Sequence, residues 1–169
     1  IYTLSDELQT MKNATLQLKV MNFDGKVLNS KLVKGEVPAN ASVVYCKENY
    51  EALAKDPCNT FLLMTLKDAK GKVLSEEIYY FNYPKDQELP VAKVSYKVKQ
   101  MDGKCEVTLS TKQLARDIFI EIPVQGARFT DNFFDLLPGQ TKKIVITSDK
   151  IKKNEPVQLK LRHLKGIIK

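Results

Sequence analysis

Lys93-Val94-Ser95-Tyr96-Lys97-Val98-Lys99 runs through Asp102-Gly103 into Glu106-Val107-Thr108-Leu109-Ser110. Val94, Tyr96 and Val98 hold alternate positions, with Lys93, Ser95, Lys97 and Lys99 between them. Past the turn, Val107 and Leu109 alternate with Glu106, Thr108 and Ser110. A period of two sends successive side chains to opposite faces of an extended chain, so each run predicts a strand with one apolar and one wet face. Asp-Gly tolerates the positive φ values of a tight hairpin turn. The stretch therefore predicts an antiparallel hairpin buried on one side.

The same reading extends in both directions. Leu16, Leu18 and Val20 alternate with Gln17 and Lys19; Ile118, Ile120 and Ile122 with Asp117 and Glu121; Val157, Leu159 and Leu161 with Gln158, Lys160 and Arg162. Asp24-Gly25, Lys70-Gly71 and Pro138-Gly139 supply turns between them. Gly25-Lys26-Val27-Leu28 and Gly71-Lys72-Val73-Leu74 echo one another, as two hairpins of like chemistry. Only Glu48 to Asp56 reads as helical, for one or two turns, stopped by Pro57. The chain is predicted to be all-β and built from sandwiches, which excludes a βαβ architecture.

The chain has 169 residues and carries a formal charge of +7. Residues 1–89 hold eleven lysines against twelve carboxylates, a net of −1; the remainder holds sixteen basic residues against eight acidic ones, a net of +8. The sign changes at Tyr83-Pro84-Lys85-Asp86-Gln87-Glu88-Leu89-Pro90, where two prolines bracket a charged stretch and stiffen it. The predicted organisation is two domains, 1–88 and 89–169, with a linker at 83–90. The basic second half does not point to nucleic acid, because its lysines alternate with apolar residues as solvated strand faces and no recognition motif accompanies them. No apolar run approaches the ~20 residues of a membrane span. The chain opens on Ile1, without the charged and apolar regions of a signal peptide, and so reads as a piece of something longer.

The candidate chemistry is sparse. Cys46, Cys58 and Cys105 form no metal-binding spacing; Cys46 and Cys58 can either pair or remain buried thiols. Asn13-Ala14-Thr15 and Asn40-Ala41-Ser42 fit the glycosylation sequon, a pattern short enough to arise by chance. His163 is the single histidine, which removes nucleophilic triads; between Arg162 and Leu164 it is expected at the surface or an edge. Glu76 and Glu77 point to opposite strand faces. Asp131 and Asp135 flank Asn132-Phe133-Phe134 and are expected to accept backbone N–H groups at a turn. Tyr79-Tyr80-Phe81-Asn82-Tyr83 can form a sugar-stacking platform, but core packing on one side and a neighbouring domain on the other is the preferred reading. No catalytic residue, metal or cofactor is expected.

The most specific segment is Phe129-Thr130-Asp131-Asn132-Phe133-Phe134-Asp135-Leu136-Leu137-Pro138-Gly139-Gln140-Thr141. It resembles a motif of the C-terminal immunoglobulin-like domain of β-mannosidases, within the hydrolase family that also includes β-galactosidase and β-glucuronidase. Thr130 and Gln140 stand where that motif commonly has Ser and Glu. Leu62 to Pro90 resembles the join between the family's last two sandwiches, and Tyr2-Thr3-Leu4-Ser5-Asp6 the opening of the penultimate one. The resemblance implies two immunoglobulin-like β-sandwiches in tandem, serving as the non-catalytic tail of an exo-acting, retaining glycoside hydrolase. It further implies an upstream (β/α)8 catalytic barrel in the same polypeptide, a β-linked mannoside as the parent's substrate, and a parent outside the cytoplasm: secreted, periplasmic or lysosomal. The family's catalytic glutamates match no position here. Asp131, Asn132, Phe133, Phe134, Asp135, Leu136, Leu137, Pro138 and Gly139 are then a structural corner, with both phenylalanines expected in the core. The competing readings are a carbohydrate-binding module and a cell-surface adhesion sandwich.

Overall fold

The computed structural model describes residues 1–168. They fall into two compact units. The first comprises Ile1–Asn22 and Lys26–Glu88; the second begins at Leu89 and takes in Phe23–Gly25.

The first unit is a sandwich of unequal sheets. Its strands are β1 (Tyr2–Ser5), β2 (Met11–Asn22), β3 (Val27–Val37), β4 (Ala41–Val44), β5 (Thr60–Lys67) and β6 (Val73–Tyr80), with a short helix α1 (Tyr50–Leu53) before β5. The larger sheet has the order β3-β2-β5-β6, and β1 pairs with β4. Leu16, Leu18 and Val20 of β2 point inward with Leu62 and Phe81, as their alternation requires. The two echoing hairpins turn by one mechanism. In each, an Asx carboxamide or carboxylate at the strand end accepts a backbone N–H four residues on: Asn22 from Lys26 at 2.8 Å and Asp68 from Lys72 at 2.9 Å. Gly25 and Gly71 supply the positive φ between them. Asn49 caps α1 by accepting from the Ala52 N–H, and the helix ends ahead of Pro57.

The second unit contains β7 (Val94–Met101), β8 (Lys104–Thr111), β9 (Ala115–Glu121), β10 (Arg128–Phe129), β11 (Phe134–Leu136), β12 (Thr141–Thr147), β13 (Lys160–His163) and β14 (Gly166–Ile168). One sheet runs β10-β12-β8-β7 and the other β11-β9-β13-β14. Val107 and Leu109 of β8 and Ile144 and Ile146 of β12 meet Ile118 and Ile120 of β9, Leu136 of β11 and Leu161 of β13 in one core. Each such side chain contributes about 1.5–3 kcal/mol when fully buried, which makes this cluster the main driving term for the second sandwich.

Two local readings change. Val98 alternates correctly but stays substantially exposed, because β7 is the edge strand of its sheet. Val157 and Leu159 pack against the core without being strand residues; β13 starts only at Lys160. Here the Gln100 side chain takes the place of a strand partner. Its amide donates to the carbonyls of Lys152 and Glu155, and its oxygen accepts the Val157 N–H at 3.1 Å. Within the 83–90 segment, Pro84–Asp86 forms a 3-10 turn and the Gln87 amide donates to the Asn82 carbonyl at 2.9 Å.

Candidate functional site

The 131–139 motif forms an irregular corner leading into β11. Asn132 lies opposite Ile120 and copies a strand backbone with its side chain: Oδ1 accepts the Ile120 N–H at 2.9 Å and Nδ2 donates to the Ile120 carbonyl at 3.0 Å. The chain then swings away at Phe133, which adopts φ 59°, a left-handed conformation costly for a bulky residue. It returns as Phe134 pairs with Ile118. From Phe134 to Leu136 the partner strand advances from Ile118 to Ala115, so β9 carries one extra residue. This is a bulge, and Asp117 within it has φ 52°. Asp135 secures it: Oδ1 accepts the Asp117 N–H at 2.9 Å and Oδ2 lies 3.8 Å from Arg116 Nε. Asp131 takes the Lys142 ammonium at 2.5 Å, and that same ammonium sits 4.1 Å over the Phe134 ring. Leu137 to Gln140 closes as a tight turn, with Gln140 N–H donating to the Leu137 carbonyl and Gly139 at φ 77°.

The expectation that both phenylalanines enter the core is corrected. Phe134 is 7% exposed, whereas Phe133 is 68% exposed. Strand parity explains this, since Phe134 and Leu136 occupy one face of β11 and the residue before Phe134 must leave it. Phe133 instead stacks on Phe119 at 4.5 Å, and the Arg162 guanidinium lies over the same Phe119 ring at 5.6 Å. Leu136 and Leu137 are both buried.

His163 is also corrected. It is 8% exposed, because it shares the inward parity of Leu161. Burial holds its pKa below the ordinary value, against a hydrogen bond to the Ala92 backbone. Nδ1 accepts the Lys165 N–H at 3.3 Å, which leaves Nε2 to carry the proton of the neutral ring. The three cysteines are free thiols. Burial pushes the Cys105 thiol up, and burial followed by the Glu48 charge does so for Cys46.

Glu76 and Glu77 do face opposite ways. Glu76 accepts from the Thr65 hydroxyl at 3.3 Å, while Glu77 lines a cleft on the sheet's other face. That cleft, of about 570 Å³, lies in the first sandwich between β1 and the β2-β5-β6 face. The register sets its floor: Leu16 lies beside Leu66, Leu62 beside Tyr79 and Met64 beside Glu77. Phe81 stands edge-on to both Tyr50, at 5.8 Å, and Tyr79, at 5.7 Å. The Tyr50 hydroxyl donates to the Phe81 carbonyl at 2.9 Å and fixes its ring. The aromatic stretch is thus divided. Phe81 is core, Tyr79 is half-exposed at the cleft, and Tyr83 is exposed elsewhere. Sequence reading did not find the cleft, because Tyr2, Tyr50 and Tyr79 converge from three separate segments.

Residues 1–86 match the family described as Mannosidase Ig/CBM-like domain, and residues 89–167 match an Ig-fold domain of mannosidases. No curated protein sequence matches the chain. Among solved structures, β-D-mannosidase from Dictyoglomus thermophilum is 23% identical, with a TM-score of 0.72 over 99% of this chain. The exo-chitosanase of Amycolatopsis orientalis is 17% identical, with a TM-score of 0.67 over 98%. The chain spans only 20% and 24% of those two enzymes.

Proposed function

This chain belongs to the Mannosidase Ig/CBM-like domain family, and from that premise we propose that it is the non-catalytic accessory region of a β-mannosidase-like exo-glycosidase, packing on and stabilising an upstream catalytic barrel. The observation that carries this reading is the pair of consecutive family matches, which lie in tandem along nearly the whole chain. They favour a glycosidase over an adhesion sandwich. A β-linked mannoside is the substrate class proposed for the parent, and the domain boundary proposed for the chain is at 88–89.

The carboxylates support a tail without hydrolytic chemistry of its own. Glycoside cleavage takes an acid that protonates the leaving oxygen and a second carboxylate opposite it, and the acid needs a raised pKa. Asp131 and Asp135 are tied to Lys142, to Arg116 and to the β9 bulge. Hydrogen bonding to Lys143 moves Glu106 downward, the wrong direction for an acid. The role we assign to Asp131–Gly139 is to hold a corner.

Two measurements test the proposal. The purified chain, incubated with chromogenic β-mannoside, β-glucoside and β-galactoside, is expected to release no chromophore above the blank. Removing the chain from its parent is expected to lower the melting temperature of the remaining catalytic part. A parent that loses nothing in stability or turnover without these residues would refute the packing role.

A further inference from the structure

We propose that the outer face of the β11-β9-β13 sheet, centred on Phe133, is the surface by which this chain docks on the catalytic part of the same polypeptide; the proposal rests on the accessory reading above and names the face it uses. Phe133 is 68% exposed and adopts φ 59°. A bulky side chain in that conformation costs stability and persists only where its surroundings impose it. Here they do. Asn132 is fixed to both backbone groups of Ile120, and Phe134 is paired opposite Ile118. Between those anchors the Phe133 ring lies on Phe119, with centroids 4.5 Å apart and planes inclined by 24°, and the Arg162 guanidinium lies over the same Phe119 ring. The stack is ordered before anything meets it, which lowers the entropic cost of forming an interface. Aromatic rings with an arginine beside them are also the composition of interface hot spots.

The charges around the stack are matched within the face. Arg162 Nη2 lies 2.7 Å from Glu121, Arg116 Nε lies 3.8 Å from Asp135, and Lys160 stands opposite Glu121 in the β13-β9 register. Covering these groups strands little charge. The other sheet of this sandwich is different. On the outward positions of β7, β8 and β12, Lys97, Lys99, Lys104 and Lys143 surround one carboxylate, Glu106, and no aromatic residue stands among them. Burying that excess of ammonium groups would carry a desolvation penalty, so the β7-β8-β12 face stays in water and the Phe133 face is the one fit to be covered.

The size of the face selects a tethered occupant. Three strands about 4.8 Å apart and seven residues of about 3.4 Å each give at most roughly 340 Å², well short of the ~800 Å² per partner in a stable interface between separate proteins. A second copy or a free protein would hold to it weakly. A partner in the same polypeptide is present at an effective concentration in the millimolar range, and the two enzymes of which this chain covers 20% and 24% have most of their length outside it.

The test is photo-crosslinking in the full-length polypeptide, with p-benzoylphenylalanine in place of Phe133 and, as the control on the basic face, in place of Lys97. Position 133 is expected to crosslink to peptides of the catalytic part within one molecule, and position 97 to give no such product. With the crosslinker moved to the rim, in place of Lys160, Phe133→Ala should lose most of the product. The melting temperature of each variant is read in parallel, so that a folding defect is scored separately from lost docking. The proposal is overturned by products from position 133 that join two copies, by equal yields from positions 133 and 97, by a folded polypeptide that gives no product at 133, or by a rim crosslink that survives Phe133→Ala. If removing the whole chain still destabilises the catalytic part while position 133 gives nothing, the accessory role stands and this face alone fails; if removal changes nothing, the accessory role itself fails.

Discussion

Replacing each of the two adjacent phenylalanines in turn separates their roles. Phe134 is 7% exposed and lies in the core with Ile118 and Leu136, so Phe134→Ala is expected to cost about 3–5 kcal/mol in transfer and cavity terms. That is a large share of the ~5–15 kcal/mol that holds a domain together. Phe133, 68% exposed, loses on truncation only its stack on Phe119, worth about 0.5–1.5 kcal/mol. Alanine keeps the Cβ that strains φ 59°, whereas glycine removes a penalty of roughly 1–2 kcal/mol. Phe133→Gly should therefore fall within about 1 kcal/mol of the parent, since the lost stack and the relieved strain offset one another. The chain has no tryptophan, so urea unfolding is best followed through the methyl resonances of Ile118 and Ile120, which report on the second sandwich alone. The slope of each transition checks that the unfolded reference is unchanged. Equal losses from Phe133→Ala and Phe134→Ala, or a Phe133→Gly variant several kcal/mol weaker than the parent, would refute this account of the corner.

Two more perturbations address the same sandwich. Asn132→Asp retains the acceptor for the Ile120 N–H but removes the donor to the Ile120 carbonyl; a loss of about 1–3 kcal/mol is expected at neutral pH, measured by urea denaturation, and an unchanged midpoint would show that the amide does not act as a strand partner. Burial lowers the folded pKa of His163 from 6.5, so below that pH the unfolded chain binds the proton first and stability falls as pH falls. Thermal melts between pH 7.5 and 5 should show this decline, and His163→Gln should flatten it; identical pH profiles would place the dependence on other groups.

Local periodicity and turn chemistry alone determined the all-β class, the β7–β8 hairpin, the turns at Gly25 and Gly71 and the inward faces of β2, β8 and β9. Those features follow from which side of an extended strand a residue faces, and that is fixed by its neighbours in sequence. His163 was also within reach of that rule, since it continues the parity of Leu161; its polarity concealed a buried position. Phe133 was within reach too, once Phe134-Asp135-Leu136 is taken as a strand. Other features depend on residues distant in the chain. The bulge at Asp117 exists because Asp135, eighteen positions away, accepts its N–H. The 152–157 segment is held by Gln100 across more than fifty positions. Tyr2, Tyr50 and Tyr79 line one cleft only because residues of β1 and α1 meet those of the sheet that contains β6. Such convergence leaves no periodic trace in any single segment, and so only the tertiary structure decided it.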